Sequence, residues 1–157
     1  MMENDSIKKS SIEDELSKNR RLIYTNVGDS MSPFIKQGRD LLVIERPLAW
    51  DDLPKDSMTK KLKKYDVPLY KRDNGKVYVL HRVLKVRDKD YVICGDNRWH
   101  KEYGINDKNV AGVLKAVIRN GKEKQLSGFK YWCYVRLWCW FFPVRAGILY
   151  LKHKLGI

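Results

Sequence analysis

The segment Lys76-Val77-Tyr78-Val79-Leu80-His81-Arg82-Val83-Leu84-Lys85-Val86 follows a hairpin-turn signal, Asp73-Asn74-Gly75, and has the alternating pattern of a β-strand. Alternate side chains of a strand share a face, so the pattern places four residues together: Val77, Val79, His81 and Val83. A histidine within an apolar row points toward a core or a cleft. This strand therefore carries the first candidate functional residue.

Short strand patterns recur on both sides of this segment. They are Leu22–Val27, Leu41–Arg46, Asp66–Lys71, Tyr91–Cys94, Asn109–Arg119 and Lys122–Gln125. Repeated short strands with turn signals between them predict a mostly β domain of coiled antiparallel sheets. The Lys-rich stretch 48–64 interrupts the series and is interpreted as a solvated excursion outside the core.

Changes in composition divide the chain into three regions. Residues 1–20 form a polar arm with a helical turn near Ile12–Leu16, residues 21–127 form the β domain, and residues 128–157 form an aromatic and basic C-terminal helical segment. A chain of 157 residues is long enough to bury one core. The polar first 20 residues predict neither a signal peptide nor an N-terminal transmembrane anchor.

The net charge of +13 would attract a polyanion, either a nucleic acid or an anionic membrane surface. The excess is uneven, because residues 111–157 hold nine Lys and Arg side chains and one acid, Glu123. The three cysteines show no metal-ligand spacing, which argues against a zinc site. No metal or organic cofactor is expected, because Ser30 and His81 can supply the chemistry without one.

The C-terminal segment holds seven aromatic residues among the twelve positions 131–142, interrupted by Arg136. Val144–Leu155 continues with helical spacing and contains Arg145, and the two arginines argue against a membrane-spanning helix. Trp and Tyr beside Lys and Arg are typical of a helix lying at a membrane interface. The alternative is a helix that packs its aromatic side chains on the β domain or on a partner.

Ser30 lies in the turn Gly28-Asp29-Ser30-Met31-Ser32-Pro33, which we predict to lead into a helix N-terminus. A serine hydroxyl becomes a nucleophile when a base takes its proton and backbone N–H groups face the developing oxyanion. On its own the pattern is more typical of a helix cap. His81 is a candidate general base, and Asp96 or Glu102 could orient its imidazole.

These segments resemble, in order, the boxes of type I signal peptidases and the related LexA-like self-cleaving peptidases. Residues 28–35 resemble the Ser-Met-x-Pro nucleophile box, and residues 38–43 the Gly-Asp-x-Val strand that follows it. Residues 65–70 are similar to the Gly-Asp-Ile-Val box, residues 78–83 to the base box, and residues 94–97 to the Gly-Asp-Asn box. The resemblance extends from about Val27 to Val117 and implies the coiled antiparallel fold of that superfamily, with residues 21–127 as the catalytic domain.

The base box has His81 where most bacterial signal peptidases have lysine, which resembles the endoplasmic-reticulum and archaeal type. The resemblance implies a serine endopeptidase with Ser30 as nucleophile, His81 as general base and the Ser30 N–H as an oxyanion donor. Asp96 and Glu102 both remain candidates for the acidic third member. A short bacterial member of this kind, acting on a leader or precursor peptide, is expected at the cytoplasmic face as a peripheral membrane protein.

Two other functions compete with the peptidase. One is a catalytically inactive peptidase fold that serves as a binding module; the intact Ser30 and His81 argue against it. The other is a nucleic-acid binder, suggested by the charge and the aromatic residues. No nucleic-acid-binding motif supports it, and the aromatic residues crowd one segment, so we expect no nucleic-acid partner.

Overall fold

The computed structural model describes residues 11–25, 27–53, 60–72 and 77–156. Within them lie nine strands, three α-helices and one short 3-10 helix (Leu48–Trp50). The strands are β1 (Arg21–Thr25), β2 (Asp40–Glu45), β3 (Pro68–Lys71), β4 (Tyr78–Leu80), β5 (Arg82–Val86), β6 (Tyr91–Cys94), β7 (Glu102–Ile105), β8 (Val110–Arg119) and β9 (Lys122–Gln125). The helices are α1 (Ile12–Asn19), α2 (Phe129–Trp140) and α3 (Phe142–Leu155).

The strands form two antiparallel sheets, which confirms the prediction of a mostly β architecture with a C-terminal helical segment. The larger sheet has the order β1-β2-β8-β3-β4, and β9 extends it by pairing with β8. The smaller sheet has the order β5-β6-β7. Strands β1 and β4 are therefore the two ends of the main strand order, and each pairs with one neighbour among the described residues.

The central strand β8 connects the two halves of the core. Val110 and Val113 pack in one apolar cluster with residues of the smaller sheet, whereas Leu114 and Val117 pack in the other, with Leu16 of α1. Burial on both faces makes β8 an almost continuous apolar run, as expected for an interior strand. The second half of the polar arm is thus part of the packed domain, because Leu16 is fully buried.

The predicted strand 76–86 is broken at His81. Strand β4 ends at Leu80 in the larger sheet and β5 begins at Arg82 in the smaller sheet, so His81 lies where the chain passes between them. Val79 and Val83 share one cluster with the smaller sheet, as the alternation predicts, but Val77 is exposed. The predicted turn 73–75 lies outside the described residues.

Two local predictions are wrong. The Ser30 segment does not begin a helix: Ser32 N–H donates to the Asp29 carbonyl and Ile35 N–H to the Met31 carbonyl in separate turns. Pro33 explains this, because a proline disfavours helical geometry in the residue before it. The stretch 48–64 is not wholly solvated either, since Trp50 and Leu62 are buried in the core.

Helices α2 and α3 follow one another through Phe141 and form a helical pair (residues 129–155) that packs one face on the β domain. Val135 is buried, the ring of Tyr134 stacks on Phe34 at 5.4 Å between centroids, and His153 contacts Trp99 at 4.6 Å. The opposite face is open, and its exposed apolar side chains include Phe129, Trp132, Leu137, Trp140, Phe141, Val144, Ile148, Tyr150, Leu151 and Leu155. Within the described part of the chain, no helix combines the length and apolar character needed to cross a membrane.

Candidate active site

Ser30 lies in a turn that the Gly95–Arg98 loop holds in place. Asn97 N–H donates to the Ser30 carbonyl at 2.7 Å, and the Asn97 amide donates to the Asp29 carboxylate at 3.1 Å. Arg98 donates to the other Asp29 oxygen at 2.7 Å and, with burial opposing it, lowers the pKa of that carboxyl group. The segment that resembles the Gly-Asp-Asn box therefore positions the serine turn through Asn97 and Arg98.

Gly95 lies beside both the Ser30 backbone and the His81 imidazole. A methyl group built on Gly95 would lie 2.6 Å from the Ser30 carbonyl oxygen and 3.0 Å from His81 Nε2. The first contact is closer than a real Cβ atom comes to backbone, and the second would require the imidazole to shift by a few tenths of an ångström. Glycine at this position is what allows the serine turn and the imidazole to approach each other.

His81 is buried and its Nδ1 lies 2.8 Å from Glu102 Oε1. An ionised carboxylate at that distance accepts the Nδ1 proton, which leaves the lone pair on Nε2, the nitrogen next to Gly95. Of the two acidic candidates, Glu102 is therefore the one that contacts His81. It lies in β7, a strand that the sequence patterns missed.

Glu102 has two further partners that the sequence reading also missed. Tyr70 donates to Oε2 at 2.9 Å, and Arg72 binds both oxygens, at 3.0 Å to Oε2 and 2.6 Å to Oε1. Burial would raise the pKa of Glu102, but hydrogen bonds from His81 and Arg72 outweigh it and lower the pKa to about 2. The carboxylate thus stays charged at neutral pH. Tyr70 and Arg72 are two residues apart, so strand alternation was the signal that could have placed them together.

Asp96, the other acidic candidate, does not contact His81 but forms a buried ion pair with Arg82. The guanidinium binds both carboxylate oxygens, with Nε to Oδ1 at 2.9 Å and Nη2 to Oδ2 at 2.7 Å. Arg82 also donates to the Tyr65 carbonyl at 3.2 Å and to the Tyr131 hydroxyl at 3.0 Å. Arg82 therefore ties the start of β5, the loop after β6 and helix α2 together.

Ser30 and His81 line a cavity of about 660 Å³ that opens between the two end strands β1 and β4. Its walls include Tyr24 of β1, Val79 of β4 and, at the rim, Arg98. His81 comes immediately after β4, and Ser30 comes five residues after the end of β1. The sheet curls so that its two ends bring the hydroxyl and the imidazole to the same cavity.

The described contacts include no acceptor for the Ser30 N–H and no hydrogen bond between Ser30 Oγ and His81 Nε2. Such catalytic hydrogen bonds commonly form on substrate binding, and a free amide beside the nucleophile is what an oxyanion requires. The described residues also contain no group of three or more His, Cys, Asp or Glu side chains arranged to hold a metal ion. Comparison of the chain with protein-family models, with curated proteins and with solved structures finds no match.

Proposed function

We propose that the protein is a serine endopeptidase of the signal-peptidase type, in which Ser30 is the nucleophile, His81 the general base and Glu102 the residue that orients His81. The observation that carries the proposal is that Ser30 and His81 line one cavity, with the Ser30 backbone and His81 Nε2 both beside Gly95 and a carboxylate 2.8 Å from His81 Nδ1. A buried histidine oriented by a carboxylate and facing a serine has the parts of a Ser–His–acid triad.

In this mechanism His81 Nε2 accepts the Ser30 hydroxyl proton as Oγ bonds to the scissile carbonyl carbon. The carbonyl electron pair moves onto oxygen, and the Ser30 N–H donates to that oxyanion. When the intermediate collapses, the C–N bond breaks and His81 returns the proton to the leaving amine. Water, deprotonated by His81, then hydrolyses the Ser30 ester and regenerates the enzyme.

The position of the cavity favours a peptide over a smaller acyl substrate. Strands β1 and β4 each pair on one side only, so the described backbone offers unpaired groups at both walls of the cavity. An extended peptide can pair with such an edge while its scissile bond lies at Ser30. The substrate we propose is a segment of a leader or precursor peptide that lies in this gap in an extended conformation.

A pool of leader-like peptides, incubated with the purified protein and anionic vesicles, tests the proposal by mass spectrometry. We expect cleavage at defined bonds by the wild type and by Ser32→Ala, which removes a neighbouring hydroxyl from the same loop. Ser30→Ala should give no products while its circular dichroism spectrum stays unchanged. Products from Ser30→Ala at the wild-type rate would refute the assignment of the nucleophile.

Glu102→Gln should lower kcat by about 10^3–10^4, because the neutral amide no longer fixes the Nδ1 proton of His81. Asp96→Asn is the comparison, since Asp96 contacts Arg82 instead. We expect its specific activity, measured on folded protein, to fall much less. A larger loss of kcat in Asp96→Asn than in Glu102→Gln would exchange the roles of the two acids.

The same variant should change the acid stability of the protein. The folded-state pKa of Glu102 is about 2, below its ordinary value of 4.5, so its contribution to stability is complete above pH 4.5 and is lost as the pH falls toward 2. In urea denaturation at several pH values, Glu102→Gln should therefore lose less stability than wild type over this window.

We also propose that the protein binds anionic membranes peripherally through the helical pair. Its outer face exposes 77% of Phe129 and 75% of Trp140, and residues 124–157 contain no acidic side chain. Aromatic rings at headgroup depth and cations near lipid phosphates are the two contributions that hold an interfacial helix.

Co-sedimentation with phosphatidylglycerol vesicles tests this proposal. Phe129→Ala combined with Trp140→Ala should lower the partition coefficient about tenfold or more, because two large apolar side chains lose their burial in lipid. The matched control is Ile23→Ala with Leu48→Ala, two exposed apolar residues of the β domain, and it should bind like wild type. An equal loss of vesicle binding in both double variants would contradict a role for the helical pair.

A further inference from the structure

A second groove lies on the side of the Ser30 turn that faces the helical pair. It has a volume of about 530 Å³, and its walls are mostly apolar side chains of α2 and α3. The opposite wall is formed by Ser32 and Pro33 on one loop and by Asp96 and Asn97 on another. It is distinct from the cavity that contains Ser30 and His81.

Three residues of this groove carry buried donors that have no acceptor. The Tyr134 hydroxyl, Trp138 Nε1 and Arg145 Nε are each buried without a hydrogen-bond partner among the described residues. The three side chains contact one another: the Tyr134 and Trp138 rings stack at 5.8 Å, and the Arg145 guanidinium lies 4.8 Å from the Trp138 ring centroid. Buried donors are normally satisfied, so their clustering points to a bound molecule that supplies acceptor oxygens.

The charge and shape of the surroundings identify the kind of molecule. Arg145 adds a cation to the donor cluster, and Asp96, the acidic residue among those that line the groove, is paired with Arg82. The lip of the groove continues onto the exposed face of the helical pair. Three residues, Leu137, Val144 and Ile148, line the groove and are also more than half exposed. An apolar channel that opens onto an apolar surface and holds a cationic donor cluster complements an alkyl chain attached to an anionic head.

We propose that this groove binds a single anionic phospholipid, with an acyl chain between α2, α3 and the Ser32–Pro33 loop and the phosphate oxygens on Tyr134, Trp138 and Arg145. The Arg145 Nη1 group already donates to the Asp96 carbonyl, and Asn97 N–H holds the Ser30 carbonyl. A lipid in the groove therefore lies against the loop that positions Ser30. The lipid site itself does not depend on the proposed peptidase activity.

Isothermal titration with monomeric dihexanoylphosphatidylglycerol tests the site without a membrane surface. Tyr134→Phe with Trp138→Phe removes two donors and should weaken binding about ten- to hundredfold, since each lost hydrogen bond to a charged oxygen costs roughly tenfold. The matched control is Tyr150→Phe with Trp132→Phe, which makes the same two changes on the helical pair but outside the groove. It should bind like wild type. The Ser30→Ala protein should also bind like wild type, which separates this site from the peptidase.

A second variant covers the case in which the donor pair fails to fold. Val144→Asp puts a negative charge at the exposed lip, in the first turn of α3, where an acidic residue suits the helix. It should weaken binding by at least tenfold. Glycerol phosphate alone should not bind measurably. Absence of phospholipid binding, equal affinity in the donor and control pairs, or tighter binding of decanoate or of a leader-like peptide than of the phospholipid would each overturn the proposal.

Discussion

The His81→Ala, Ser30→Ala and Ser30→Ala/His81→Ala proteins are expected to share one low rate of peptide cleavage, about 10^5–10^6 below wild type in kcat. Nucleophile and base act as a unit, because an unactivated hydroxyl and an imidazole without a nucleophile are equally ineffective. The second substitution therefore removes little that the first has left. The expectation rests on the structure, in which Ser30 and His81 line one cavity and the Ser30 backbone and His81 Nε2 both lie beside Gly95.

The control for this comparison is His100→Ala, which removes a histidine from the same cavity but one that is exposed. It should keep most of the activity, measured as kcat on a peptide identified from the pool. If the effects of Ser30→Ala and His81→Ala instead multiply in the double variant, the two side chains act in separate steps and the triad is wrong.

Arg82→Ala is expected to lower the free energy of unfolding by about 3–5 kcal/mol. Arg82 is fully buried and Asp96 is 2% exposed, so removal of the guanidinium leaves a carboxylate without its cation inside the protein. The Tyr65 carbonyl and the Tyr131 hydroxyl lose a donor at the same time. The loss is large because the remaining charge is not accessible to water.

Arg87→Ala provides a matched comparison on the same hairpin of the smaller sheet. Arg87 pairs with Asp90 at 2.5 Å but is 43% exposed, and such surface pairs contribute about 0–1 kcal/mol. Urea denaturation at neutral pH would measure both variants. If Arg82→Ala lost no more stability than Arg87→Ala, the buried pair would not hold the fold together as its geometry indicates.

Most of the β architecture was predictable because strand patterns are local. Strands β6 and β9 begin and end where alternation and turn residues place them, and β8 needs only a shift of one residue. Strand β7 was missed because Glu102–Ile105 has a polar first residue and a glycine, and its two middle residues, Tyr103 and Gly104, are exposed. The helix predicted after Ser30 does not form, because Pro33 disfavours helical geometry in the residue before it.

The sequence by itself determined a mostly β domain and an aromatic and basic helical end, because these depend on short-range periodicity. It also indicated a serine and a histidine as the candidate nucleophile and base, from residue chemistry and the order of the motifs. The tertiary structure alone decided which acid meets His81. Glu102 and Asp96 are only six residues apart, and strand periodicity does not show that one lies beside the imidazole while the other is turned toward Arg82. The break at His81 between two sheets has the same origin, because a strand pattern is continuous where the chain leaves one sheet and enters another. Pairing of distant strands, which depends on the whole core, brought the ends of β1 and β4 to a single cavity.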